Sequence, residues 1–408
     1  MSPPADMLTF EKARQRILAA TKPVTNVETI SLDAALGRIL ATDIVAPIDV
    51  PGAANSAMDG FAMAADTVSA DTGATLVGTA HAGHPFTDNV GAGECVRIMT
   101  GAWLPTGTDA VVMQEQAQIN GQHVALDAAP APGAHVRPAG DDICRGQRVL
   151  AAGSYLRATD IGVLATLGQM SVPVFRRPCI AYFSSGDELQ PPESELGPGQ
   201  LYDSNRPMLA ALLAELGFDT LDLGRVPDDP QALEAALERG ESADAIVSTG
   251  GVSVGDADFV RETLAAKGNV DFWRVAIKPG KPLAFGHLGG TGFFGLPGNP
   301  VSAAVTFTQL VRPALARLAG GQPAAAQRHQ RQLAETIERK PGRTEFMRGQ
   351  QLTSDAGQAY VRALGHQGSG VLSSMGIADC FIVLPADSEG AAAGSAVNVE
   401  PFAQRLWA

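Results

Sequence analysis

The chain has 408 residues, more than one hydrophobic core usually serves, so two to four domains are expected. Hydrophobic residues make up 45 % and charged residues 18 %, the balance of a folded soluble protein. With 30 Lys and Arg against 43 Asp and Glu, the net charge is −13, which excludes a coat for duplex nucleic acid but leaves room for a local cationic pocket.

Taken from the N-terminus, the first ten residues carry Asp6 and two prolines but no apolar core, so no signal peptide is read. No run approaches the roughly 20 apolar residues of a membrane span. Cys95, Cys144, Cys179 and Cys380 are scattered without a CxxC pair, the usage of reduced thiols in a cytoplasmic protein. Apolar spacing predicts a helix over 10–20, through Phe10, Ala13, Ile17 and Leu18, and a shorter helical piece over 32–40. From 44 to about 149 short strands alternate with Gly, Pro, Asp and Asn turns, at 75–79, 95–99, 110–114 and 124–126. Thr159 or Asp160 then caps a helix that stops at Gly168.

Between 179 and 320 the rhythm changes to strand, helix, strand, helix. Strands are predicted at 179–183, 220–223, 245–248, 273–277, 283–285 and 292–296, and helices at 206–216, 230–239, 258–267 and 301–318. Asp229 followed by Pro230 is an N-cap with proline at the first helical position. The alternation predicts an α/β domain: a doubly wound, mostly parallel sheet with helices on both faces. An Ala- and Gln-rich connector over 320–332 leads to short strands over 343–399. The expected division is a β-rich N-terminal region over 1–176, the α/β domain over 177–320 and a small all-β domain over 321–408.

Ligands of an open parallel sheet bind outside the carboxyl ends of its strands. Five polar loops follow predicted strands there: Ser184-Ser185-Gly186-Asp187-Glu188, Pro227-Asp228-Asp229, the run from Thr249-Gly250-Gly251 to Asp258, Lys278-Pro279-Gly280-Lys281-Pro282, and Pro297-Gly298-Asn299-Pro300. Taken singly, Asp229 is a cap, Gly250-Gly251 a tight turn and Lys278 a solvated lysine. Their coincidence in one domain points to a site for a polyanion and a hard cation. Backbone N–H groups of a Gly-rich loop cradle phosphate, whereas several carboxylates beside a phosphate require a cation between them, and Mg²⁺ suits that place. No dinucleotide or P-loop fingerprint is present. Gly251-Val252-Ser253-Val254-Gly255 fits a nucleophile elbow, but a hydrolase leaves both lysines and the acidic loops without a role. His81 and His84 have metal-like spacing without a third ligand and are read as surface histidines.

Together these loops resemble the molybdopterin molybdenumtransferases, the MoeA and gephyrin E-domain family of molybdenum cofactor biosynthesis. Asn55-Ser56-Ala57-Met58-Asp59-Gly60, Arg97-Ile98-Met99-Thr100-Gly101-Ala102, Gly140-Asp141-Asp142-Ile143, Arg343 to Arg348 and Gly365-His366-Gln367-Gly368-Ser369 extend the resemblance over nearly the whole chain. Molybdopterin adenylyltransferases and competence-damage-type deamidases share the central domain without these flanks. Ser185 stands where the family commonly has Thr, and Arg274 where it commonly has Lys; both keep the type of functional group.

The resemblance implies an enzyme that inserts molybdate into adenylated molybdopterin with Mg²⁺ and releases AMP. It implies a homodimer with composite sites and an adenylyltransferase partner that supplies the adenylate. By motif, the catalytic set is Asp59, Thr100, Asp142, Glu188, Asp228 and Asp258. Glu188, Asp228 and Asp256 are the metal candidates. Lys278, Lys281, Arg348 and Ser369 suit the oxyanion, while Ser184, Ser185, Gly186, Asp187, Thr249, Gly250, Gly251, Ser253, Pro282, Pro297 and Pro300 line the substrate. The competing readings are a molybdopterin adenylyltransferase and a scaffold of the gephyrin type.

Overall fold

The computed structural model describes residues 7–251 and 258–402 and divides into two compact units. One consists of Thr29–Leu36 with Leu40–Val174; the other holds the remaining described residues.

The first unit is built on a six-stranded sheet in the order Ala110–Met113, Gly60–Met63, Glu94–Ile98, Ala74–Ala80, His123–Leu126, Ala117–Asn120. Its strands Gly60–Met63, Glu94–Ile98 and Ala110–Met113 are apolar on both faces, so neighbours in sequence enter different cores. Phe61, Met63, Cys95 and Val112 pack on one side, and Ala62, Val96, Ile98 and Val111 on the other. The Ala158–Thr166 helix is capped by Arg157 and begins two or three residues earlier than a Thr159 or Asp160 cap requires. Asp160 is instead its third residue and accepts the backbone N–H of Arg157 at 2.8 Å, satisfying a donor the helix cannot. The piece expected over 32–40 is only the Leu32–Ala34 3₁₀ turn.

The second unit contains the doubly wound sheet, in the order Asp219–Val226, Cys179–Ser185, Ala245–Thr249, Thr291–Leu296, Pro282–Leu288, Gly268–Arg274. The first four strands are mutually parallel, and only Pro282–Leu288 runs against its neighbours. Apolar cores lie on both faces, one around Phe285, Phe294 and Phe307, the other around Phe183, Leu237 and Phe293. Pro300–Leu318 is helical but contains a π turn over Phe307–Val311. The opening helix, Phe10–Ala20, buries Phe10, Ala13 and Ile17 in the first of these cores, so it groups with the α/β domain.

The predicted strand over 273–277 is two elements. The sheet strand ends at Arg274. The Lys281 carbonyl accepts the Val275 N–H at 2.8 Å, and Ile277–Lys278 then pairs in parallel with Thr344–Glu345. That partner belongs to a closed five-stranded ring of Thr344–Thr353, Ala359–Ala363, His329–Leu333, Ala396–Pro401 and Cys380–Leu384. Ile382 and Leu384 fill the ring, whereas Phe346, Phe381 and Val383 face outward into the core of the α/β domain. Fully burying each such side chain contributes about 1.5–3 kcal/mol, which makes barrel and sheet one packed body.

Candidate active site

Ser185 is level with Val226, Ser184 with Thr249, Thr249 with Leu296, and Arg274 with Pro282, so all five loops lie at the same edge of the sheet. The Lys278–Pro282 segment reaches it by a different route from the others, entering a strand rather than leaving one.

The acidic side of the edge rests on glycine. A side chain at Gly186 (φ 146°) would meet the Glu188 carboxylate oxygens at 2.5 and 2.9 Å, so only glycine lets that carboxylate fold over the loop. The Asp228 N–H donates to Asp187 Oδ1 at 3.1 Å, which brings a third carboxylate beside the pair. Burial, then the charges of Asp187 and Glu188, push the Asp228 carboxyl above the usual range. Such crowding of hard oxygen donors fits a divalent cation. Among the described residues no cluster of three or more His, Cys, Asp or Glu has a ready-made ligand geometry. Ser253 and Asp256 lie outside the described residues, and Asp258 begins the Asp258–Lys267 helix. Asp229 is a helix cap, accepting the Ala232 N–H at 2.8 Å.

Gly250 and Gly251 have φ of 88° and 65° and pack over Ser185, whose Oγ lies 2.9 and 3.0 Å from where their Cβ atoms would stand. The Gly250 N–H donates to the Leu296 carbonyl at 3.1 Å, tying this loop to the Pro297–Pro300 loop. Asp228, Ser185 and both glycines share a cavity of 10 Å³, about the volume of one water. The Thr249 hydroxyl is buried and bonds to no described residue. A larger cavity of 380 Å³ opens on the opposite edge, beside Lys22, Asp244 and His287, away from every expected site residue.

On the cationic side, Lys281 is half-buried and pairs with no carboxylate among the described residues. Lys278 Nζ lies 2.8 Å from Glu345. Arg348 is placed differently from the expectation that it meets an oxyanion. It is 1 % exposed, and its guanidinium donates to the His366 and Gly368 carbonyls and to Ser374 Oγ at 3.0–3.1 Å. Burial lowers its pKa, with Glu345 opposing. Arg348 therefore shapes the loop that presents Ser369. The Ser369 carbonyl in turn accepts the Val301 N–H at 3.0 Å, joining that loop to the start of the Pro300–Thr306 helix.

In the first unit, Asp59 Oδ1 accepts both the backbone N–H and the hydroxyl of Thr100 at 2.7 Å. Those two bonds, with the charge of Arg97, hold the Asp59 carboxyl below the usual range. Asp142 is exposed on a turn where its N–H donates to the Val50 carbonyl at 3.0 Å. His81 and His84 are exposed and bonded to each other only through backbone.

Sequence reasoning missed Asp203, Asn205, Arg339 and Glu345. Buried Asp203 accepts the Ser184 hydroxyl at 2.5 Å and the Asn205 and Arg206 N–H groups at 3.1 Å, and Asn205 Nδ2 holds the Gly298 carbonyl at 2.7 Å. Asp-Ser-Asn before a helical run is a capping signal that marks this pair. Glu345 has no local signal, because only strand register brings it to Lys278.

Three family models match the chain in order: the MoeA N-terminal region (domain I and II) over 8–168, the probable molybdopterin binding domain over 181–317, and the MoeA C-terminal region (domain IV) over 330–402. The chain is 40 % identical over 399 residues to the molybdopterin molybdenumtransferase of Haemophilus influenzae, covering 97 % of this chain and 99 % of that one. Over 305 residues it is 39 % identical to a protein of the same name from a Nostoc species, covering 72 % and 70 %. The crystal structure of a molybdopterin biosynthesis moeA protein from Pyrococcus horikoshii superposes with a TM-score of 0.84 at 28 % identity, over 97 % of this chain and all of that one.

Proposed function

This chain belongs to the molybdopterin molybdenumtransferase family, and from that premise we propose that its loop edge holds adenylated molybdopterin while the lysine side receives molybdate. It is a transferase of molybdenum cofactor biosynthesis that inserts molybdenum. A molybdopterin adenylyltransferase is disfavoured, because the matches extend through both flanking regions.

The observation that carries the reading is the segregation of charge along one sheet edge. Asp187, Glu188 and Asp228 crowd one end, and half-buried Lys281 lies in the loop at the other. A pyrophosphate and a molybdate dianion need opposite arrangements. The pyrophosphate lies against Gly250 and Gly251, which carry no side chain to block its approach to the backbone. Glu188 and Asp228, with Asp256, would hold Mg²⁺, which would supply neutralisation of phosphate charge. Lys281, Lys278 and the Ser369 hydroxyl bind and orient molybdate as two cations and a hydroxyl donor, with Lys278 already held by Glu345. Ser185 lies on the acidic side, against Gly250 and Gly251. Cleavage of the adenylate then depends on alignment and electrostatic stabilisation, as in other phosphoryl chemistry.

Asp59, with Thr100 and Asp142, is the acidic contribution of the other unit, and in this reading it is donated to the site by the second subunit of a homodimer. The adenylate comes from an adenylyltransferase, and the reaction takes place in the cytoplasm. No helix among the described residues is long and apolar enough to cross a membrane. Purified protein incubated with adenylated molybdopterin, molybdate and Mg²⁺ is expected to release AMP. No AMP above a protein-free control overturns the reading.

A further inference from the structure

Lys278 and Glu345 are directly paired across two parallel strands, one the short Ile277–Lys278 segment and the other the first stretch of the barrel. Glu345 Oε1 is 2.8 Å from Lys278 Nζ, and Oε2 is 3.0 Å from Arg339 Nε, a charge contact whose N–H is not aligned for a hydrogen bond. The Glu345 and Arg339 side chains are both 5 % exposed, whereas that of Lys278 is 44 % exposed. Arg339 is itself pinned, donating to the Pro385 carbonyl at 2.7 Å and to the Arg343 carbonyl.

A surface ion pair contributes little and leaves its lysine free to swing. This pair differs because one partner is buried and anchored from behind. A carboxylate out of water is tolerated only where fixed cations meet it, and here a guanidinium takes one oxygen while an ammonium takes the other. The backbone of Glu345 is fixed by the barrel strand and its carboxylate by Arg339. Lys278 Nζ is therefore held from a rigid body rather than by its own flexible stem.

We propose that Glu345, anchored by Arg339, is a positioning residue that sets where the Lys278 ammonium stands in the oxyanion site. This rests on the reading above, in which Lys278 faces molybdate. The three groups together carry one net positive charge, so the cluster stays attractive to a dianion while its geometry is locked.

The test keeps every charge and changes the geometry of the contacts. In Glu345→Asp the carboxylate withdraws by one methylene, and in Arg339→Lys the anchor loses its planar fork. AMP release is titrated with molybdate at saturating adenylated molybdopterin and Mg²⁺, after thermal melting identifies the folded variants. Each variant is expected to raise the KM for molybdate about five- to tenfold, the size of coupling contacting residues show. Their kcat and adenylate KM should stay within about twofold of the wild type, the margin of uncoupled sites. In a Lys278→Ala background neither substitution should have a further effect. If a variant raises the molybdate KM equally with and without Lys278, or leaves it unchanged while Lys278→Ala raises it, the positioning role is overturned. If Lys278→Ala itself leaves the molybdate KM unchanged, the underlying reading of the site fails, and the proposal with it. Should Glu345→Asp not fold, Arg339→Lys decides alone by the same comparison.

Discussion

Glu188 is the carboxylate most exposed to a single substitution, because it folds over Gly186 with its charge facing the loop edge. Glu188→Gln keeps the shape and removes the charge, so the protein should fold normally and lose most AMP release; full activity in the discontinuous AMP assay removes Glu188 from the site. Asp228 makes a prediction about stability. Its carboxyl is raised by burial and by Asp187 and Glu188, so the folded state disfavours its ionised form. That contribution is fully present below the ordinary carboxylate pKa and is lost as pH rises through the raised value. Metal-free Asp228→Asn should therefore melt above the wild type at pH 7 in low salt, with the gap closing under acid. Mg²⁺ should raise the melting temperature of the wild type more than that of the variant. Equal Mg²⁺ shifts in the two proteins would remove Asp228 from the metal site.

Among elements, the Gly365–Ser369 loop has its shape imposed from outside. Arg348 meets two of its carbonyls, and Gln367 clamps the Arg348 backbone from both sides, at 3.0 Å and 2.9 Å. Arg348→Met removes the charged donor that meets the His366 and Gly368 carbonyls and Ser374 Oγ, an expected loss of about 1.5–3 kcal/mol in urea unfolding, together with a weaker molybdate dependence through Ser369. Lysine should not restore it, since one ammonium cannot reproduce the fork; an unchanged midpoint in either variant refutes this account of the loop. The same scale shows what could be read in advance. The parallel strands were legible because short apolar runs are bounded by Gly, Asp and Ser, and Asp229-Pro230 marks its helix start by chemistry that acts within four residues. The break after Arg274 was not, because Trp273 to Ile277 reads as one continuous β-prone run and the turn depends on a bond from Val275 to Lys281. The resemblance assigned Arg348 to the oxyanion, and its partners, on a loop and a short helix 18–26 residues away, could not be read locally for the same reason.

The whole molecule supplies Asp59 and Glu188 from different units, and the reading assigns them to different subunits of one site. Mixing Asp59→Asn and Glu188→Gln chains tests this directly. In a heterodimer one shared site carries both defects and the other carries none, so random exchange should return roughly a quarter of wild-type activity from two inactive parents. A mixture as inactive as its parents, with exchange verified by differently tagged chains, assigns both residues to one subunit. The crossing of Ile277–Lys278 from the sheet into the barrel also has a consequence for biosynthesis. On the ribosome, those residues emerge well before Thr344 and Glu345, the partners they pair with. Until the last barrel strand, Ala396–Pro401, has been made, the ring stays open and the nascent α/β domain lacks Phe346, Phe381 and Val383 from its core. Chaperone dependence should therefore peak late in translation, and chains truncated before residue 344 should be rapidly degraded rather than accumulate as a stable fragment.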